Sequence, residues 1–533
     1  MSTNIVQVNV TQTVAPAPAT LQQSGALVSQ GGTYTSPFTA SLLTQLSDLT
    51  LLLHGSAAIA SISQTAGLAT ALASVAHGLT IGDTLLLTIA GAAPAAYNGS
   101  QLCTVISTTE FTFAVPSATS SPATGTIVYT SSDVAELLAM ATTFFANGSG
   151  QAVYVLELGP GNATDGVTAL TTYITANPNS NYTPGAAGYF YSYLVPREWD
   201  GNASYLAFLN NFNATTSRTY FFTTTTLATY TNYTPLMKCV VAMVESPTYG
   251  VYPANALTAI SWSGGVVTGT TLTAHSVAPG DWFTIAGCTP NGYNGTFLAL
   301  SGTTGSTLVY ALTTDPGAES VLGTLQASPY ANAGVPATEF SLAAAFWQSL
   351  QYAPTAVKRV TPYAFSYLTG VTPFPIRGRS ALLQTLKTAG INLVGTGAEG
   401  GISNTLLLWG TTMDKHDFTY WYSVDWVQIN LDVTLSNAVI NGSNNPENPL
   451  YYDQNGINRL NTTAIGVMNR AITFGLALAP VTVFSVPFSQ YVEANPSDYE
   501  SGLYGGVSIT YTPNRGFTSI VANVQVTGFP AGG

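Results

Sequence analysis

Residues 418–440 read FTYWYSVDWVQINLDVTLSNAVI, and whether they coil or extend decides the fold of the C-terminal half. Ile429-Asn-Leu-Asp-Val-Thr-Leu-Ser436 alternates as a half-buried strand does. Over the same stretch Val424, Val427, Leu431, Leu435 and Ala438 recur at helical spacing, and periodicity alone leaves both readings open. The sequence on the far side is less divided. Asn441-Gly442 stops the pattern and a polar turn runs from Asn445 to Pro449. After Tyr451-Tyr452-Asp453, a second helical run follows through Ile457, Leu460, Ala464, Ile465, Met468, Ala471 and Ile472. If both elements coil, they form a helical hairpin that must bury its apolar sides.

Outward from this stretch, the pattern of Gly410-Thr-Thr-Met-Asp414 through Trp421 to Val439, then Tyr451 to Leu476, resembles the C-terminal module of contractile tail sheath proteins of bacteriophages. Leu368-Thr-Gly-Val-Thr-Pro373 resembles another piece of the same module. The likeness spreads over residues 332–533 and the N-terminal strand, and rests on pattern and order rather than one motif. It implies the helical reading of 418–440. It also implies a structural subunit that polymerises helically around an inner tail tube and contracts to drive the tube through the host envelope. The implied partners are identical subunits, the tube protein, baseplate and tail terminator or neck proteins. The implied location is the virion tail, after synthesis in the host cytoplasm. No cofactor is expected, no enzyme activity, no direct nucleic acid and no membrane insertion.

Composition is compatible with assembly. The 533 residues are 46% hydrophobic but only 7% charged, against roughly 25% in ordinary soluble domains. Large self-interfaces, depleted of charge at their centres, would account for this. Net charge is −12 and unevenly spread, with no Lys or Arg before Arg197. That argues against binding through phosphate neutralisation. The longest apolar run, Ala471 to Pro487, is broken by Thr473, Pro480 and Thr482 and makes a poor membrane span. No basic segment followed by an apolar run opens the chain, so no signal peptide is expected. Cys103, Cys239 and Cys288 are too scattered for a zinc site or a disulfide framework, and an intersubunit disulfide stays open.

Each end of the chain reads as a strand. Asn4 to Val10 alternates, with Ile5, Val6, Val8 and Val10 as its apolar residues, and Gly516 to Phe529 carries Phe517, Ile520, Val521, Val524 and Val526. Unpaired apolar edges need a partner, and a neighbour's sheet provides one. In sheath proteins such arms join adjacent subunits. For contact with the tube, the resemblance points to Asp425, Gln428 and Asp432. Charge points instead to Lys358, Arg359, Arg377, Arg379 and Lys387, which could equally pair with the acidic first half of a neighbouring copy.

Residues 71–130 and 256–329 form an internal repeat. Ala76-His77 and Gly82-Asp83 recur as Ala274-His275 and Gly280-Asp281; Thr88-Ile-Ala-Gly91 as Thr284-Ile-Ala-Gly287; and Tyr97-Asn-Gly99 as Tyr293-Asn-Gly295. Asn-Gly favours a tight hairpin turn, so each copy is expected to be a small inserted all-β module. The His-x5-Asp spacing suggests a metal or acid–base pair but lacks a third repeated ligand, and the Tyr-Asn-Gly tips could stack on sugars. Helix-like runs alternate with continuous apolar strands over 131–255, as in a parallel α/β layer. Phe38, Leu42, Leu43, Leu46 and Leu49 suggest a small helix opened by Ser36-Pro37. The strand Ile391 to Val394 enters Gly395-Thr-Gly-Ala-Glu-Gly400, but no helix pattern follows to meet a pyrophosphate.

The expected architecture is therefore an α/β (α+β) multidomain chain. It comprises an N-terminal strand arm (1–20), an α/β middle domain (21–70 with 131–255), two β modules (71–130 and 256–329), a core domain with mixed sheet and helices (330–515) and a C-terminal strand arm (516–533). The competing class is another virion or cell-surface structural protein, such as a fibre, adhesin or S-layer subunit.

Overall fold

The computed structural model describes residues 20–53, 57–74, 77, 79, 81–82, 84–177, 189–227, 229–233, 237–245, 255–275, 277, 282–327, 339–352, 360–374, 380–399 and 402–517. In chain order the elements begin with β1 (Gly25–Ser29), β2 (Thr39–Leu43) and α1 (Leu46–Thr50). Next come β3 (Ala57–Thr65), β4 (Leu68–Ala73), β5 (Thr84–Ala90), β6 (Gly99–Val105), β7 (Glu110–Ala114) and β8 (Ile127–Ser131). The middle holds α2 (Ser132–Ala146), β9 (Val153–Glu157), α3 (Ala163–Ala176), β10 (Ser192–Leu194), α4 (Ala203–Leu209), β11 (Tyr220–Thr225) and β12 (Val240–Val244). The second β group is β13 (Asn255–Ser263), β14 (Val266–Thr271), β15 (Trp282–Ala286), β16 (Gly295–Leu298), β17 (Thr307–Ala311) and β18 (Thr324–Ala327). The remainder is α5 (Ser341–Leu350), α6 (Ser380–Ala389), β19 (Asn392–Glu399), β20 (Ile402–Leu408), α7 (Phe418–Ser443), α8 (Gln454–Thr473), β21 (Ala477–Ser485), α9 (Phe488–Ala494), α10 (Pro496–Ser501) and β22 (Val507–Pro513).

One eight-stranded sheet, ordered β2-β9-β1-β10-β11-β12-β19-β20, organises the molecule. Its six central strands run parallel, and β2 and β20 close the edges antiparallel. Val153–Glu157, Tyr220–Thr225 and Val240–Val244 are buried along their whole length, which is what a parallel sheet covered on both faces demands. The helices start where their caps dictate. Ser131 accepts from Val134 N, and the Asn162 side chain accepts from Thr164 N and Asp165 N while Asp165 reaches back to Asn162 N. Gly25 is required by packing: a Cβ there would lie 2.6 Å from Leu350 Cδ1 of α5.

This sheet crosses the expected boundary between middle and C-terminal domains. β19 and β20, assigned to 330–515, pair onto β12 of 131–255. The second β group interrupts the sequence, not the sheet. The glycines of 395–397 lie within β19 rather than in a connection. A Cβ on Gly395 would fall 2.4 Å from Leu408, and one on Gly397 2.4 Å from Leu406, so the leucines of β20 lie across bare backbone. The helix expected from Ser36 is mostly strand. Phe38 adopts φ 66° and donates to Glu157 O at 2.7 Å, and β2 pairs along the edge of β9. Edge pairing outweighs the helical spacing, which survives only in Leu46–Thr50.

The first β module is a closed barrel in the order β3-β4-β7-β6-β5-β8. It starts at Ala57, so β3 and the first half of β4, placed in the middle domain by sequence, belong to it. The second group is a sheet ordered β16-β15-β18-β13-β14-β17. This is the same ring of strands opened between β16 and β17, with the isolated bridge Ala299–Tyr310 spanning the gap.

The repeated Tyr-Asn-Gly is not a tight hairpin. Asn98 and Asn294 have φ of −82° and −83°, and each follows a short 3-10 turn. Asn98 brackets Ala92, accepting from its N–H at 2.9 Å and donating to its O at 2.7 Å; Asn294 treats Cys288 the same way, at 2.8 Å each. Tyr97 and Tyr293 are buried and donate to Ser120 O and Gly317 O. The motif clamps each module from inside and offers no ring to a sugar.

Candidate assembly surfaces

The helix α7 is the element that 418–440 left undecided, and it is coiled throughout. Its N-cap Asp417 accepts from Thr419 N at 3.2 Å. The first half is buried: Phe418 packs on Tyr220 and Phe222 of β11 and Tyr422 on Tyr191 beside β10, while Trp426 meets Phe474 just after α8. The second half emerges. Val433, Val439 and Ile440 are 54%, 46% and 58% exposed. At its end α7 turns onto α8, where a Cβ on Gly442 would meet Leu450 at 2.4 Å.

Asp425 corrects one expectation. Its side chain is fully buried within the subunit, so it does not present itself to an inner tube. One carboxylate oxygen accepts from Tyr191 Oη at 2.8 Å and Tyr220 Oη at 2.7 Å; the other lies 3.5 Å from Lys238 Nζ. Lys238 also donates to Thr215 O and Ser217 O and sits 4.5 Å from the Trp421 ring centre. Burial pushes the Asp425 carboxyl up and the Lys238 ammonium down, while each charge opposes the shift of the other. The two tyrosines are held well above their usual range by burial and by Asp425. The network ties α7 to β11 and β12. Sequence reasoning missed it, although an acid inside Trp421-Tyr-Ser-Val-Asp-Trp426 and a lysine just ahead of an apolar strand were the available signals.

The other named residues are dispersed. Gln428 is half-buried, and Asp432 is exposed, 3.9 Å from Arg218. Lys387 lies in the last turn of α6, 6.0 Å from the centre of the Trp409 ring. Lys358, Arg359, Arg377 and Arg379 lie outside the described residues, as do Ile5, Val6, Val8, Val10, Ile520, Val521, Val524 and Val526. Asp83 and Asp281 do too. Their repeated partners His77 and His275 each accept a backbone N–H two residues on, and burial lowers both imidazoles. Among the described residues no group of three His, Cys, Asp or Glu is placed to hold a metal, and no helix is long and apolar enough to cross a membrane. All three cysteines are buried, and burial pushes Cys103 and Cys239 up to about 12.

Beyond α8 lies a two-stranded ribbon. β21 and β22 pair antiparallel, turning Val481, Val483, Ile509 and Tyr511 toward the body. Leu478 and Phe484 face outward, 47% and 55% exposed. Among the described residues no further strand covers either outer edge. The chain after β22 is anchored before it leaves. Asn514 donates to Leu476 O and Gly475 O, the Arg515 guanidinium sits 5.3 Å from the Tyr420 ring centre, and Gly516 N donates to Asp417 Oδ2 at 2.7 Å. A Cβ on Gly516 would lie 2.7 Å from Pro362. Phe517, one step on, is 79% exposed.

No protein-family model matches this chain, and no curated protein matches it. Among solved structures, a chain of the anti-feeding prophage baseplate, seen by cryo-EM, aligns over 99% of this chain and all of its own length, with TM-score 0.47 and 12% identity. A crystal structure of a sheath tail protein from Listeria innocua aligns over 88% of this chain and 89% of its own, with TM-score 0.34 and 8% identity.

Proposed function

We propose that this chain is the structural subunit of a contractile tail sheath, polymerising helically around an inner tube and shortening to drive it forward. The observation that carries the reading is the β21–β22 ribbon. Among the described residues it is a sheet of two strands with both outer edges uncovered, and unpaired N–H and C=O groups along such edges are a template for pairing with another chain. The chain meanwhile ends in strand-like segments at residues 4–10 and 516–529. Strands from neighbouring copies would complete the ribbon. A head-to-tail contact repeated by one operator then yields a helical tube. The proposed arm residues are Ile5, Val6, Val8, Val10, Phe517, Ile520, Val521, Val524 and Val526.

For the tube-facing surface, the exposed half of α7 beginning at Asp432 is favoured. Its apolar Val433, Val439 and Ile440 suit a low-charge contact, with half-buried Gln428 at its margin. The inserted barrels would sit outermost, as insertions on exposed loops do. Energy for contraction would reside in subunit contacts, with no nucleotide or other cofactor. Baseplate and neck proteins would meet the ends of the polymer.

Electron microscopy tests this. The intact chain should form short tubes, and deletion of residues 1–12 or 518–533 should abolish them while leaving a folded monomer. Deletion variants that still polymerise normally would overturn the arm exchange. An intact chain that stays monomeric at all concentrations would overturn the sheath reading.

A further inference from the structure

The central strands follow the order β9-β1-β10-β11-β12. The chain leaves β1, adds β9 on one side, and returns with β10 on the other. Open parallel sheets bind ligands at such a switch point, outside the carboxyl ends of the strands. Here a cavity of 430 Å³ lies at that place, with Ser29, Gln30, Glu136, Met140, Arg197 and Glu198 in its wall. The turn beside it, Gln30-Gly-Gly-Thr33, has the composition of a phosphate-cradling loop: Gly31 adopts φ 83°, open to glycine, and the backbone amides of Gly31 and Thr33 point the same way.

Those amides are already engaged. Glu157, the last residue of β9, is 1% exposed. Its Oε1 accepts from Gly31 N at 2.7 Å and Gly159 N at 2.8 Å. Its Oε2 accepts from Thr33 N at 3.1 Å, Thr33 Oγ1 at 2.8 Å and Ser29 Oγ at 2.8 Å. Among the described residues no Lys or Arg pairs with it. A buried carboxylate without a counter-ion holds its charge only through such donors. Five converging donors, three of them backbone N–H groups, form the set that binds a phosphate or carboxylate ligand.

We infer that residues 29–33 and Gly159 form an oxyanion-binding cradle, and that Glu157 is its tethered ligand. The native chain therefore carries an anion site closed from within. Emptied, the cradle takes a small carboxylate. Glu157→Ala removes the Cγ and the carboxylate, the atoms that acetate would replace.

The test is thermal melting of the full chain in sodium acetate against sodium chloride at equal ionic strength. Glu157→Ala should melt below the native chain and regain melting temperature with acetate in a saturable way, as a ligand of the folded state does. The native chain should respond identically to both salts, and inorganic phosphate should leave it unmoved. Glu157→Gln keeps the side-chain volume but turns an amide donor toward backbone donors. It should be destabilised and not rescued by acetate. If Glu157→Ala folds only poorly, refolding yield with and without acetate reads the same equilibrium. Equal response of Glu157→Ala to acetate and chloride, or a Glu157→Gln chain as stable as the native one, would overturn the inference.

Discussion

Replacing Lys238 by Met is the sharpest test of how α7 is held. The substitution keeps the apolar stem and removes the ammonium. Asp425 is left fully buried, with two tyrosine donors and no counter-charge. Removing one partner of a buried ion pair costs about 3–5 kcal/mol. Asp425→Asn does the reverse, leaving the Lys238 side chain, 4% exposed, with Thr215 O, Ser217 O and the rings of Trp421 and Tyr220 but no counter-charge as near as Asp425. The double variant Lys238→Met/Asp425→Asn removes both charges and retains an acceptor for Tyr191 and Tyr220. It should therefore cost less than either single change, a coupling that a double-mutant cycle measures directly.

The pH dependence separates the two single variants. Burial already raises the Asp425 carboxyl, and losing Lys238 removes the main opposing influence. A carboxyl raised in the folded state contributes stability below its unfolded pKa and loses it as pH climbs through the folded value. Lys238→Met should thus approach the native chain in acid and weaken toward alkaline pH. For Asp425→Asn the sign inverts. Burial depresses the lysine, and without Asp425 nothing comparable raises it. The unfolded chain then binds the proton more tightly, so stability grows as pH rises toward the lysine range. Urea denaturation followed by tryptophan fluorescence, which Trp421 and Trp426 report from α7 itself, reads both slopes. Additive single costs, or two variants with slopes of the same sign, would refute the network as the tether of α7.

Glu198 is exposed, yet desolvation at the crevice wall, with Asp133 and Glu136 adding to it, pushes its carboxyl up to about 7. By the same rule its contribution is present near pH 4 and lost through neutrality. Glu198→Gln should therefore raise the melting temperature at pH 8 and leave it unchanged at pH 5 in a thermal scan. Asn98→Ala and Asn294→Ala each delete a two-bond bracket and leave backbone groups unpaired, costing about 1–3 kcal/mol. Hydrogen exchange should localise the loss to one β module in each variant and leave the eight-stranded sheet protected. Asp417→Ala removes the cap of α7, worth about 1 kcal/mol, and releases Gly516. Trypsin should then cut after Arg515 faster than in the native chain, with no change in cleavage elsewhere.

What the sequence made legible follows from which forces are local. Continuous apolar runs such as Val153-Tyr-Val-Leu156 are buried on both faces, and their reading as parallel strands needs no distant partner. The repeat was visible because its clamp, Tyr-Asn-Gly with the preceding Ala-Gly turn, acts within one module. Its mechanism was not, since Asn98 works by folding back on Ala92 rather than by taking positive φ. Failures cluster where a contact spans the chain. Phe38 to Leu43 has helical spacing but becomes strand because β9 offers an edge more than a hundred residues away. Asp425 looked like a surface acid because its three partners, Tyr191, Tyr220 and Lys238, come from the other half of the sequence.

The same logic bears on α7 itself. Its alternating stretch, Ile429 to Ser436, coils as the continuation of a helix whose first half is fixed by remote groups. Asp417 caps one end while binding Gly516, and the Asp425 network seats the first half against the sheet. Beyond that seat one side of the helix packs on α8, while Val433, Val439 and Ile440 face out from the described residues. A helix with apolar residues on several sides belongs in an interior. For Val433, Val439 and Ile440 the proposed contact with the tube would supply that interior. The α7 cap also holds the root of the C-terminal strand. One carboxylate, Asp417, thus ties the start of α7 to the segment proposed to join neighbouring copies. A shift of the α7 N-terminus would reach the root of that segment through two hydrogen bonds, of 3.2 Å to Thr419 N and 2.7 Å to Gly516 N.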